Sequence, residues 1–196
     1  VEALDQGLKA APVERVGRGV EPQMELWWLQ DPVGAADPLA DRVEAKVREL
    51  LGDRLVWMES ELVNTVYACF PGVLVPELEL VRTCVGAYGI REGSEVHLRS
   101  EDDPGRRRGE TGELCELLIG LGRRLGYRVQ GGAIPNVTWS DGATEAYVFV
   151  VSVTAEVSSY LLAGRSHGRG AQTCLVVPGG RAELINLKLR RDPRLN

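Results

Sequence analysis

The run Tyr147-Val-Phe-Val-Val-Ser-Val constrains the fold more than any other segment of the chain. It is apolar at odd and even positions alike, so as a strand it is covered on both faces and sits in the middle of a sheet. Such a sheet needs helices against it, and amphipathic segments flank the run. The segment from Thr111 through Leu114, Leu118 and Leu121 reads as a strong helix ending at Gly126, and Thr154 is suited to cap a helix running to Leu162. Short strands are expected at 127–130, 134–139 and 146–153, with Ser140-Asp-Gly turning between the last two. Thr173–Val177 reads as another buried strand, closed by Pro178-Gly-Gly. Arg181–Arg190 is compatible with a helix or a strand. Residues 110–180 are therefore expected to form a mixed sheet with 146–153 central and a helix on either side.

The first half is patterned differently. Asp37-Pro38-Leu39 starts a helix whose apolar face is Leu39, Val43, Val47, Leu50 and Leu51, closed by Gly52, with Glu44 and Arg48 as an i,i+4 pair on its outer face. Ser60 caps a second helix, with Leu62, Val63, Val66, Tyr67 and Phe70 inward, and Pro71-Gly72 stops it. Pro76 opens a third, with Leu78, Val81, Val85 and Tyr88 inward, and Gly89 ends it. Ile90–Arg99 then reads as a hairpin turning at Gly93-Ser94. Helix, tight turn, helix and small hairpin resemble a winged helix-turn-helix. The fold class is thus α+β. Residues 1–36 are read as an extended docking arm, 37–100 as a winged-helix-like domain, 101–109 as a charged linker, and 110–196 as an α/β domain. On the arm, Trp27 and Trp28 are the candidate partner contacts.

Charge separates the halves. The 196 residues carry a net charge of −5, which argues against a surface coated in basic residues for nucleic acid. Residues 1–100 hold 10 basic and 17 acidic side chains, whereas residues 101–196 hold 13 and 11, so any nucleic-acid contact belongs to the second half. The candidates are Arg165 and Arg169, with His167 between them in a Gly-rich loop, and Lys188, Arg190 and Arg191 near the end. The third helix presents Glu77 and Glu79 beside Arg82 and Thr83, and acids there oppose phosphate. Cys69, Cys84, Cys115 and Cys174 show no metal-ligand spacing, and apolar neighbours mark Cys69, Cys115 and Cys174 as buried free thiols. No apolar run is long enough to span a membrane, and no secretory signal opens the chain, so a cytoplasmic setting is expected. Val1 in place of Met, and an end at Arg191-Asp-Pro-Arg-Leu-Asn, fit a fragment of a larger protein.

The order helix–strand–strand–strand–helix–strand in the second half resembles the core of the PD-(D/E)XK, or restriction-endonuclease-like, superfamily. Leu121-Gly-Arg-Arg-Leu-Gly-Tyr is similar to the end of that family's first helix, and Leu175-Val-Val-Pro to its later buried strand. The likeness covers about residues 110–180. It implies an Asp on the second strand and an (Asp/Glu)-x-Lys on the third, which hold a divalent cation and activate water. Mapped onto this chain, Asn136 stands for the Asp, Val150 for the acid and Ser152 for the Lys. Neither Val150 nor Ser152 offers a carboxylate or an amine, so no cofactor is expected.

The reading is a non-catalytic module that binds nucleic acid or a protein partner, as part of a larger DNA-processing or phage-defence protein. One alternative is a Mg-dependent nuclease whose site has migrated to Glu113, Asp141 and Glu156. Another is a scaffold that docks other domains or subunits through Trp27, Trp28 and the acidic helical half.

Overall fold

A computed structural model describes residues 38–71, 75–131, 136–158 and 171–192, together with the backbone of 13–18 and 25–29. These residues form an α+β fold with five α-helices and three sheets. In chain order they are β1 (Val13–Arg18), β2 (Glu25–Leu29), α1 (Leu39–Asp53), β3 (Trp57–Met58), α2 (Glu59–Cys69), α3 (Leu78–Tyr88), β4 (Gly89–Glu92), β5 (Glu95–Leu98), α4 (Pro104–Arg124), β6 (Arg128–Gly131), β7 (Asn136–Asp141), β8 (Thr144–Val151), β9 (Gln172–Val176) and α5 (Ala182–Arg191).

Within the expected arm, β1 and β2 pair antiparallel, with Trp27 opposite Arg15 and Trp28 opposite Glu14. What the two indoles touch lies outside the described residues.

The helical half packs much as its apolar spacing dictates. Val43, Val47, Leu50 and Leu51 of α1 meet Leu62 and Val66 of α2 and Val81, Val85 and Tyr88 of α3 in one core. Leu78 departs from the expectation: at the first position of α3 it is 40% exposed. β4 and β5 form the expected hairpin, and Trp57–Met58 adds a third strand, giving the order β3-β5-β4. The Trp57 indole N–H donates to the Leu50 carbonyl at 2.8 Å, which ties this short strand to the end of α1.

Three local expectations are corrected. Glu44 is not on an outer face paired with Arg48. It is fully buried, and Arg48 pairs instead with Glu156 at 3.1 Å. Cys69 is exposed in the last turn of α2, and the buried thiol of the helical half is Cys84. The stretch 101–109 is not a linker throughout. The Asp103 carboxylate accepts from the N–H groups of Gly105 and Arg106 at 2.9 and 3.0 Å, Pro104 takes the first helical position, and 104–109 are the opening turns of α4. An Asp-Pro start outweighs the glycines and arginines that follow it.

The second half holds a mixed sheet in the order β6-β7-β8-β9. β8 is interior as expected, antiparallel to β7 and parallel to β9. One face of the sheet lies under α4, where Leu118 packs on Val137, Trp139 and Val151, with Tyr147 and Phe149 alongside. A Cβ at Gly122 would stand 2.6 Å from the Trp139 ring nitrogen, so the missing side chain is what lets α4 approach the sheet. On the opposite face Val148 and Val150 are buried. A helix from Thr154 to Leu162 does not form at its start, since 154–157 are irregular, and 159–170 lie outside the described residues.

The segment left open at 181–190 is a helix, α5. Its Leu184 and Leu187 belong to the core of the helical half, where α5 packs on α3. The unit expected to run from 110 to 196 thus returns its last helix to residues 37–100.

Candidate functional site

Asn136 and Val150 are register partners across β7 and β8, so the two positions mapped for acids do face each other. Asn136 is exposed at the start of β7, and Val150 is buried. Ser152 follows β8 and closes a turn: its Oγ lies 3.1 Å from the Thr154 carbonyl and accepts the Thr154 N–H at 3.2 Å. The pair therefore offers one neutral amide oxygen and no charge. A small cleft of about 140 Å³ opens beside Ser152, but its charged wall is the internal ion pair of Arg107 and Glu110, at 2.6 Å. Hydrogen bonds from Arg106 and Arg107 hold the Glu110 carboxyl below the usual glutamate range.

The acids of the migrated-site alternative are not brought together. Glu113 lies on the exposed side of α4, Asp141 ends β7, and Glu156 pairs with Arg48 beyond β8. Among the described residues no group of three His, Cys, Asp or Glu side chains is arranged to hold a metal ion.

The basic candidates divide. Lys188 is corrected outright: it is 1% exposed and bonded to Asp41 and Glu44, so it touches no external ligand. Arg191 is engaged with Glu77 and Glu79 of α3. Arg190 is exposed on α5. Arg165, His167 and Arg169 lie outside the described residues.

An open groove of about 720 Å³ runs between α3 and β4. Its charges are paired in part. Arg82 and Arg91 share Glu59, at 3.9 and 2.6 Å, and Arg99 turns inward to the carbonyls of Gly89 and Gly86, at 3.1 and 2.6 Å. Glu77 and Glu79, read from sequence as opposing phosphate, share Arg191 and stay exposed. Leu78 and Ile90 remain 40% and 43% exposed along the groove.

Sequence reading missed a buried polar network between the halves. Lys188 of α5 donates to Asp41 and Glu44 of α1 and, at 2.7 Å, to the Ala155 carbonyl. Glu44 also accepts from the Tyr88 hydroxyl and, at 2.6 Å, from the Ala155 N–H. Arg181 lies with its guanidinium 3.6 Å over the Tyr88 ring and donates to the Ala87 carbonyl and to Asp102. Burial, then the nearby Glu44 charge, pushes the Tyr88 hydroxyl and the Cys84 thiol well above their ordinary values. A signal was present. Glu44 stands three residues before Val47 and seven before Leu51, on the apolar stripe of α1, and Lys188 stands four after Leu184 on that of α5.

No protein-family model, curated protein or solved structure matches the chain. The functional reading rests on the residues themselves.

Proposed function

We propose that the chain is a non-catalytic nucleic-acid-binding module, part of a larger DNA-processing or defence protein. In this reading the helical half is a winged helix and the sheet half a restriction-endonuclease-like core. The row Asn136–Val150 carries the reading. Metal-dependent hydrolysis needs carboxylates around a hard cation, and here an amide faces a buried valine. Two features support the assignment of the halves. The chain order α1-β3-α2-α3-β4-β5, with its strands arranged β3-β5-β4, matches a winged helix, and the β6-β7-β8-β9 sheet has its last strand parallel to its third. The surplus of basic residues after residue 100 supports nucleic acid as the ligand.

The test is a titration of the whole chain with labelled duplex and single-stranded DNA, run with Mg²⁺, with Mn²⁺ and with EDTA. Binding that survives EDTA, with no cleavage under any condition, is the expected result. Cleavage abolished by Asp141→Ala would establish the migrated-site nuclease instead.

A second reading, protein docking, is favoured by the α3–β4 groove, where the arginines are paired or turned inward and Leu78 and Ile90 are exposed. Absence of DNA binding at low salt would leave this reading in place of the first.

A further inference from the structure

The arginines with described side chains fall into two groups. Eight of them, Arg82, Arg91 and Arg191 included, have a carboxylate oxygen within 4 Å. Arg99 is held by backbone carbonyls, and Arg42 lies over the Phe70 ring. The other five make no hydrogen bond or ion pair among the described residues, and three of them, Arg123, Arg124 and Arg128, fall within the six residues that join α4 to β6.

These three are exposed, and the helix end does not need them. Basic side chains at a helix C-terminus often bond its last carbonyls. Here the backbone does so: the N–H groups of Leu125, Gly126 and Tyr127 donate to the carbonyls of Leu121, Arg123 and Gly122 at 3.0, 3.1 and 3.0 Å. Gly126, at φ +88°, makes the turn that brings Arg128 onto the edge strand directly after the helix. The nearest acids along the sheet are Asp141 and Glu145 at the β7–β8 tip. Ser140 stands between Arg128 and Glu145 in the register, and neither acid lies within 4 Å of Arg128. Glu145 is two strand spacings from Arg128, about 10 Å, where salt weakens the attraction, whereas Asp141 is one strand away, beside the register partner of Arg128.

We propose that the turn 123–128 is a contact surface for the phosphodiester backbone of nucleic acid, an inference that rests on the nucleic-acid reading above. Guanidinium forks suit phosphate oxygens, and contacts to phosphate fix a protein on nucleic acid without reading its sequence. The outward face of α3 is the poorer surface for this purpose, because its one arginine, Arg82, shares Glu59 with Arg91 and stands beside the acids Glu77 and Glu79. Steering follows from the same arrangement: on a chain of net charge −5, three of the five unpaired arginines among the described residues stand at one turn of the sheet half.

The experiment measures duplex affinity of the whole chain from about 50 to about 200 mM salt. It compares wild type with Arg123→Ala/Arg124→Ala/Arg128→Ala, with the corresponding triple Lys variant, and with Arg82→Ala/Arg91→Ala. The triple Ala variant is expected to weaken binding and to flatten the slope of log affinity against log salt by about three units, one per phosphate contact. The Lys variant should keep most of the slope, and the α3–β4 variant should match wild type. An unchanged slope in the triple Ala variant, with circular dichroism showing it folded, would overturn the assignment of this turn while leaving the nucleic-acid reading intact. A loss seen instead in Arg82→Ala/Arg91→Ala would place the contact on α3. No binding by wild type at low salt would overturn the parent reading, and this inference with it.

Discussion

The ammonium of Lys188 has three donors, and Asp41, Glu44 and the Ala155 carbonyl take all three. Both oxygens of each carboxylate are engaged, since Asp41 also accepts the Ser158 N–H at 3.3 Å and Glu44 accepts Tyr88 and Ala155. A buried lysine shared by two carboxylates adds little over an apolar packing of the same shape, but removing it strands both acids. Lys188→Met should therefore cost about 3–5 kcal/mol in urea unfolding, because two carboxylates remain buried without their cation. A loss under about 1 kcal/mol would mean that water reaches the carboxylates. Glu156 makes a different prediction. Burial raises its carboxyl pKa, and Arg48 opposes the shift only in part. The folded state then holds the proton more tightly than the unfolded state, so this group's contribution to stability falls as pH rises from the ordinary glutamate value through the folded one. Glu156→Gln removes that titration. Its stability relative to wild type should be lowest in acid and climb to a plateau above the raised pKa of the folded state. Thermal melts across pH 4–8 read it, and a flat difference would contradict it.

Glycines on α4 separate what an element needs from what it tolerates. At Gly120 an added Cβ meets nothing within 4 Å, so Gly120→Ala should raise stability by up to about 1 kcal/mol through helix propensity alone. At Gly122 the same methyl would stand 2.6 Å from Trp139 and 2.7 Å from Val129. Gly122→Ala should lose about 1–3 kcal/mol through overpacking, in spite of the same propensity gain. Equal effects in paired urea titrations would show that α4 shifts freely on the sheet. This contrast also shows which elements were legible in the sequence. The apolar stripes of α1 and α2 and the doubly apolar β8 were readable because burial writes periodicity directly. The opening of α4 was hidden because Gly105 and Gly109 look like linker, although Asp103-Pro104 is a cap signal. β3 has only two residues and takes its place from the Trp57–Leu50 hydrogen bond and the pairing with β5, neither of which leaves a local pattern. For the site, Asn136 and Val150 were singled out through the family resemblance, and their facing each other came only with the register of β7 and β8. The burial of Lys188 was not legible, because a lysine near a chain end reads as solvated until α5 is known to dock on α3.

At the scale of the whole molecule, one polar core joins the helical half to the sheet half. The chain leaves β8 at Val151 and enters the network at once: the Val153 carbonyl accepts from Arg181 at 3.3 Å, Ala155 bonds Glu44 and Lys188, and Ser158 bonds Asp41. From the other direction, Arg107 of α4 shares Asp102 with Arg181, with the Arg107 bond at 2.9 Å. Strand β8 and helices α1, α3, α4 and α5 are thus connected through a few side chains placed far apart in sequence. Such a network is strongly non-additive, so its members should open together. Hydrogen exchange measures this. In wild type the slowest amides of α3 and β8 should share one opening free energy, since each half depends on the joint. Arg181→Met removes the guanidinium from the Tyr88 ring, the Ala87 carbonyl and Asp102 while keeping an unbranched apolar stem in place. In that variant α3 should lose protection more than β8, because β8 retains its own packing under α4 through Leu118, Trp139 and Val151. Separate opening free energies for α3 and β8 already in wild type would show that the network decorates two independent units instead of joining them.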